Sequence, residues 1–356
     1  MKINFIIGTK AQFIKTIPVI NESIKRNLDV SIYDLKQHSK TTSELRKKIN
    51  KEYKLIEVSR NKNDLGSYKK LITWFFKTMF SLLFSKEYNI KSEYCFVHGD
   101  TLSTLLGTIL IKRNGGKLVL LEGGHAVPGI FKHFPESIVR YLVAKLSDIV
   151  IANGKSQIDQ LSKWNVKAKV IEISTNTIYD SFSKVNLVSK KNTKEVIVSI
   201  HRTENINNKR KMELLVNSIS QISSEYLVTW CLHIPTKNRL LSYKFYEKLL
   251  NLKVSLCDLL PYDDFINRIY NSEFTITDGG GVVEECQLLG TPTLVWRDEH
   301  LDQNHLFEKG NNLFLCNYKE SDINYFFRNY KNFKKDIEIK DEESPSKQIL
   351  DRILSL

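Results

Sequence analysis

The 356-residue chain carries five cysteines and no CxxC pair. Cys95, Cys231, Cys257, Cys286 and Cys316 are scattered, and Cys95 and Cys231 fall inside apolar runs. Free buried thiols in a reducing cytosol are therefore expected, not a disulfide framework. No grouping of His, Cys, Asp or Glu has metal-ligand spacing, so no metal cofactor is expected. GxSxG elbow, P-loop and protein-kinase motifs are absent. No apolar run reaches the roughly 20 residues of a membrane span. Met1-Lys2 leads straight into the apolar stretch Ile3–Ile7, so no secretion signal is read and a cytoplasmic location is expected. There is also no repeat at the roughly 20–50-residue periods of solenoids.

What remains is a folded protein long enough for two ordinary domains, 42% hydrophobic and 26% charged. The net charge of +13 favours an anionic partner such as a nucleotide, a nucleic acid or an acidic membrane face. No RNA- or DNA-binding motif is present and the lysines are spread, so no nucleic-acid partner is expected. A Lys/Asn/Ile-rich composition also gives such a charge with no partner at all.

Along the chain, short apolar runs alternate with segments of helical periodicity. Ile3–Ile7 ends in Gly8-Thr9-Lys10, and Ala11–Lys25 follows with apolar residues at helical spacing: the first half of a nucleotide-binding βαβ unit. Strands are read at Val30–Leu35, Tyr94–Val97, Leu118–Leu121, Asp148–Ala152 and Lys169–Ile173. Val185–Lys194 is polar and lysine-rich and reads as a linker. The alternation then restarts, with strands at Glu195–Ile200, Leu227–His233, Val254–Leu256, Phe274–Thr277 and Thr293–Trp296 and a helix over Leu240–Leu250. The expected fold is α/β, two Rossmann-like doubly wound parallel-sheet domains facing across a cleft. Domains are placed at 1–175 and 176–342, with 343–356 as a terminal helix that packs back on the first.

Ser67–Phe84 is the most apolar and aromatic segment, with Trp74, Phe75, Phe76, Phe80 and Phe84 beside Lys69, Lys70 and Lys77, and Asp64 offers a cap. It reads either as a basic, aromatic membrane-surface helix or as a helix buried against the sheet. The spread of its apolar residues around the wheel favours burial, and a peripheral membrane contact through 67–84 is the alternative.

Acids cluster where strands end. Asp100 lies in His-Gly-Asp-Thr, Glu122 in Glu-Gly-Gly-His, and Glu136 follows Pro135 at a helix start. Ligands bind at the carboxyl ends of strands in an open parallel sheet. Three carboxylates there suit proton transfer or a developing cation. Singly, Asp100 could cap the helix after Thr101 and Glu136 could serve a helix dipole. In the second half, Asp278-Gly279-Gly280-Gly281 separates a strand from a helix. Its glycines let backbone approach a ligand and leave N–H groups at a helix N-terminus, an anion site. Glu284 and Glu285 are placed in that helix's first turn, where one can bond a ribose diol. His201-Arg202 ends a strand and could bind phosphate or donate a proton.

Together these residues resemble the UDP-N-acetylglucosamine 2-epimerase family. Gly8-Thr9-Lys10…Ile14-Lys15…Pro18-Val19 is similar to the family's GTRPEAIKxxPV, and Val97–Thr101 to VHGDT. Glu122-Gly123-Gly124 resembles EAG, and Pro135-Glu136 resembles PEE at the family's spacing. Asn176-Thr177-Ile178…Asp180 resembles GNTVID, and Ser199–Glu204 resembles GHRRE. Asp278–Glu285 resembles DSGGxQEE, and Gly290…Arg297-Asp298 resembles GxPVLVxRD. The resemblance implies a glycosyltransferase-B-type fold and a bacterial, cytosolic, usually dimeric isomerase. It would convert UDP-GlcNAc to UDP-ManNAc for capsule or other surface polysaccharide, without metal or nicotinamide. It makes Asp100, Glu122, Glu136 and His201 catalytic, with Lys10, Arg202, Gly279, Gly280, Gly281 and Glu285 holding UDP. Departures fall near the substrate: Lys10-Ala11-Gln12 for Arg-Pro-Glu, Gly124-His125-Ala126-Val127 for GLRT, and Gly279 for a serine. A lysine for arginine loses a bidentate phosphate grip. The rival reading is an inverting glycosyltransferase of the same fold, with Asp100, Glu122 or His201 deprotonating a glycan or lipid-linked acceptor.

Overall fold

The computed structural model describes the chain except residues 51, 60, 62–64, 66–67, 85–87, 89, 91, 126–134, 190–192, 299–310 and 338–343, and the side chains of 40, 41 and 68. Asp64, Ala126 and Val127 therefore lie outside the described residues. The chain divides into two compact units, one of residues 1–181 with 342–356 and one of 182–341.

The first unit is built on a seven-stranded parallel sheet. Its strands are β1 (Lys2–Ile7), β2 (Asp29–Asp34), β3 (Lys54–Glu57), β4 (Tyr94–His98), β5 (Leu118–Leu121), β6 (Ile149–Ala152) and β7 (Lys169–Glu172), in the order β3-β2-β1-β4-β5-β6-β7. Central strands are apolar on both faces because helices cover both; β4 and β5 are buried at every residue. The edge strands β3 and β7 are partly exposed.

The second unit repeats the plan with six strands. They are β8 (Glu195–Ser199), β9 (Leu227–Leu232), β10 (Ser255–Asp258), β11 (Phe274–Thr277), β12 (Thr293–Val295) and β13 (Leu313–Leu315), ordered β10-β9-β8-β11-β12-β13 and all parallel. Each sheet thus reverses its strand order once, between β1 and β4 and between β8 and β11. At such a reversal neighbouring crossovers run to opposite faces and leave a crevice at the strand ends. The α/β expectation holds for both units.

Local details differ from the sequence reading for identifiable reasons. The helix after Gly8 starts at Lys10 with a capping box made by Thr9 and Gln12. Asp100 is not a helix cap; Thr101 takes that place for Leu102–Arg113, paired with Thr104. The segment read as one helix over Leu240–Leu250 is two, Ile234–Ser242 and Phe245–Asn251, because Lys244 adopts a left-handed backbone, φ 61°. The helix after β11 begins at Gly280, so Glu284 and Glu285 fall in its second turn.

Residues 176–181 belong to the first unit although 176 was read as the start of the second domain. Ser181 Oγ donates to the Ile14 carbonyl, and Asn176 donates to Glu122 at 2.7 Å. The terminal helix Pro345–Leu354 also belongs to this unit. Ser346 bonds Asp180, Arg26 pairs with Asp351 at 2.6 Å, and Ile349, Leu350 and Ile353 are buried. Leu350→Ala should therefore lower the unfolding free energy by about 2–5 kcal/mol, read by denaturant unfolding of the full chain; an unchanged midpoint would contradict the docking of this helix.

Candidate active site

In the first unit the polar residues converge on Glu122. It follows β5 directly, at φ 60°, a left-handed conformation disfavoured for a side chain bearing Cβ. The two following glycines allow this sharp exit. A Cβ on Gly123 would stand 2.3 Å from Val150 Cγ1, and one on Gly124 2.4 Å from the Gln157 carbonyl oxygen.

The turned-out carboxylate is almost fully enclosed and saturated. Lys15 Nζ donates to Oε1 at 2.7 Å and to Oε2 at 2.8 Å. Asn176 Nδ2 reaches Oε1 at 2.7 Å, His125 Nε2 lies 3.0 Å from Oε1, and His98 Nε2 lies 3.1 Å from Oε2. Burial alone would raise its pKa; Lys15, His125 and His98 override burial and hold the acid well below the usual range. The same contact raises His125 against the opposing effect of burial. Gln157, on the helix after β6, stands behind His125, its Nε2 3.4 Å from Nδ1.

Asp100 arrives beside this group because β4 and β5 are neighbours, with His98 opposite Leu121. The Arg140 guanidinium pairs with Asp100 Oδ2 and holds it below its ordinary pKa against the effect of burial. Arg140 lies one turn along the helix Glu136–Leu146 from Glu136, so one helix face presents Glu136 and the partner of Asp100. Glu136 itself is the exposed first residue of that helix.

The replacement at Gln12 is structural. Its Oε1 accepts from the backbone N–H of Gly8 and Thr9 at 2.9 and 3.0 Å, while Nε2 donates to the His98 carbonyl at 2.8 Å. It ties the loop after β1 to the end of β4. Lys10 is half-buried at the helix start, its own N–H donating to His38 Nδ1 at 3.2 Å.

In the second unit Asp278 is the fixed point. It lies at the end of β11 and accepts from the backbone N–H of His201 and Arg202, at 2.9 and 3.0 Å, and from Asn205 Nδ2 at 2.8 Å. Arg297 Nε donates to its carbonyl at 2.9 Å. Two strand ends, β8 and β11, are thereby locked together across the order reversal. His201 Nδ1 stands 3.5 Å from Asp278 Oδ1, and the ring stacks on His233 with centroids 4.4 Å apart. Burial first, then the charges of Arg202 and Arg297, lower His201 to about 4, so it is neutral near pH 7. Arg202 Nε pairs with Glu204 at 2.7 Å.

Gly279 is the N-cap of the helix opening with Gly280 and Gly281, so the glycines stand at a helix N-terminus, where backbone N–H groups are without intrahelical partners. A Cβ at Gly279 would lie 2.6 Å from His201 Cε1, so the ring can pack against this turn only if no side chain is there. Glu285 is buried beside Tyr262, whose hydroxyl burial and Glu285 together push well above its usual pKa.

A model of the UDP-N-acetylglucosamine 2-epimerase family matches residues 23–346. The chain belongs to that family. Among curated relatives, the UDP-N-acetylglucosamine 2-epimerase of Methanocaldococcus jannaschii is 26% identical over 336 residues, 90% of each chain. That of Bacillus subtilis is 27% identical over 311 residues, 84% of this chain and 79% of the relative. The Neisseria meningitidis UDP-GlcNAc 2-epimerase solved bound to UDP-GlcNAc superposes with a TM-score of 0.79 at 22% identity, covering all of both chains. The M. jannaschii enzyme solved with UDP-GlcNAc and UDP gives 0.80 at 23% identity, over 100% of this chain and 99% of the other. Family membership supports the epimerase reading over the inverting transferase.

Within the epimerase-like first unit, Asp100, Glu122 and Glu136 are drawn to one region, with Lys10 at the neighbouring strand end. His201, Arg202, the triple glycine and Glu285 are set around the reversal point of the second. Sequence reading assigned no site role to Lys15, His98, His125, Arg140, Asp278 or Arg297. Lys15, His98, Asp278 and Arg297 were visible only as motif members; Arg140 had the signal of its i+4 spacing from Glu136.

Two outcomes are expected. Glu122→Gln leaves Lys15 and His125 without their shared counter-charge and should cost about 3–5 kcal/mol of stability. The second concerns pH. Between 6.5 and about 4 the unfolded chain takes up a proton that folded His201 refuses. Stability should therefore fall with pH across that window, and more steeply than in His201→Gln, as followed by thermal unfolding.

Proposed function

We propose that the protein interconverts UDP-GlcNAc and UDP-ManNAc by eliminating UDP and adding it back. The reading rests on one observation above the family match: an ionised Asp100, pinned on one oxygen by Arg140, beside an ionised Glu122 whose lone pairs are already taken. That arrangement separates two roles. Asp100 keeps Oδ1 to accept a proton, while Glu122 holds Lys15, His98 and His125 in fixed positions.

The C2 proton of the sugar is not acidic, since no carbonyl adjoins it. Breaking C1–O first, with the electron pair leaving on UDP, gives an oxocarbenium-like C1 that acidifies C2–H. Asp100 takes that proton and the pair forms a C1–C2 double bond. Glu136, at the solvent-exposed helix start, is the acid for return of a proton to the opposite face of C2. UDP then re-adds at C1 to give the epimer; water adding instead gives free ManNAc and UDP. In the second unit the N–H groups at Gly280 and Gly281, with Arg202, answer the diphosphate charge, and Glu285 takes the ribose diol. In this reading neutral His201, whose ring lies against the glycine turn, hydrogen-bonds the leaving diphosphate. We assign the reaction to cytoplasmic supply of surface polysaccharide precursors.

Proton NMR of UDP-GlcNAc incubated with the protein in heavy water tests this. Deuterium should enter at C2, and UDP-ManNAc or ManNAc should accumulate. Release of UDP only when a glycan acceptor is added, with no exchange at C2, would reject the epimerase. Asp100→Asn should lower turnover by about 10²–10⁴-fold with the circular dichroism spectrum unchanged. Gly279→Ala should also lower turnover, by pushing the His201 ring from its place, while the unfolding midpoint shifts little.

A further inference from the structure

The helix Tyr68–Phe84 has two apolar faces, and only one is used by the first unit. Trp74 and Leu82 are buried in the core, with Leu71, Phe75 and Met79 partly buried around them. The opposite side exposes Ile72, Phe76, Phe80, Leu83 and Phe84. Phe76, Phe80 and Phe84 are 57%, 64% and 68% exposed. Spacings of three and four residues put these side chains in one ridge along the helix, about 18 Å long. Single exposed apolar residues are ordinary, but a continuous aromatic ridge is not.

The charge beside the ridge indicates what covers it. Lys70 and Lys77 run along one border and Lys69 stands at its N-terminal end, all exposed. The helix carries no Asp or Glu, and the chain as a whole is +13. A second copy seated ridge on ridge would bring two sets of the same lysines to one contact with no acid of the helix to answer them. An acidic lipid surface answers them, at about 1 kcal/mol per lysine, and accepts phenylalanine rings about 5–10 Å into the headgroup boundary. Among the described residues no helix is long and apolar enough to cross a membrane, so the helix would lie in the surface plane.

We propose that the exposed ridge of Tyr68–Phe84 docks this protein on membranes bearing anionic phospholipid. The inference is independent of the reaction assigned above. Flotation of the full chain with phosphatidylglycerol-containing vesicles, against pure phosphatidylcholine vesicles, tests it. Binding is expected only to the anionic vesicles and should weaken with added salt. The combined variant Phe76→Ser, Phe80→Ser, Phe84→Ser should lose binding by about tenfold or more while keeping turnover in solution, which reports that it folds. Lys69→Glu with Lys77→Glu should likewise lose about tenfold. No binding to anionic vesicles, equal binding to both lipids, or binding unchanged in the serine variant would overturn the proposal. So would a wild-type dimer, by light scattering, that the serine variant reduces to monomer, since a second copy would then occupy the ridge.

Discussion

A carboxylate removed from water has to be surrounded by donors, and in the first unit that carboxylate is Glu122. The helix after β1, the last residue of β4 and the loops after β5 and β7 each send it a group: Lys15, His98, His125 and Asn176. None of these segments can move without uncovering a buried charge, which costs far more than a surface ion pair. The left-handed backbone at Glu122 is a strain kept in place by this ring of contacts. Asp100 inherits its position from the same assembly, because its strand neighbours that of Glu122 and Arg140 closes on it from the helix that follows.

The second unit solves a similar problem with a different residue. Asp278 collects backbone N–H groups from the end of β8 and a side chain from Asn205, while its carbonyl receives Arg297. Here the buried acid serves as a clamp beneath the glycine turn. The two units share a strand order and a reversal point, but one places side-chain acids at its crevice and the other presents backbone amides.

Much of this was readable from residues alone. The buried central strands are continuous apolar runs ended by glycine or an acid, so their position and the acids at their ends were legible. The edge strand β3 was not: Lys54–Glu57 is mostly exposed and lacks an apolar signature. β13 is three residues long, too short for periodicity to register. The break at Lys244 carries neither Gly nor Pro, so the left-handed turn dividing two helices left no mark. At the site, the acids stood out by their chemistry, whereas Lys15, His98, His125 and Asn176 appeared only within the family motifs, with nothing to show that they meet at Glu122. Lys15 lies 107 positions from Glu122, and only the closed sheet makes them neighbours. The helix over 68–84 shows the converse limit. Its periodicity is ambiguous because both faces are apolar, and burial alone separates them.

The docking of Pro345–Leu354 on the first unit makes that unit discontinuous along the chain. During synthesis its sheet leaves the ribosome early but lacks the helix that covers Ile349, Leu350 and Ile353's binding face until the whole second unit has been made. The nascent first unit therefore waits with an uncovered apolar groove. Chaperone capture at that stage, and a slow final step in refolding, are the natural companions of such a chain path.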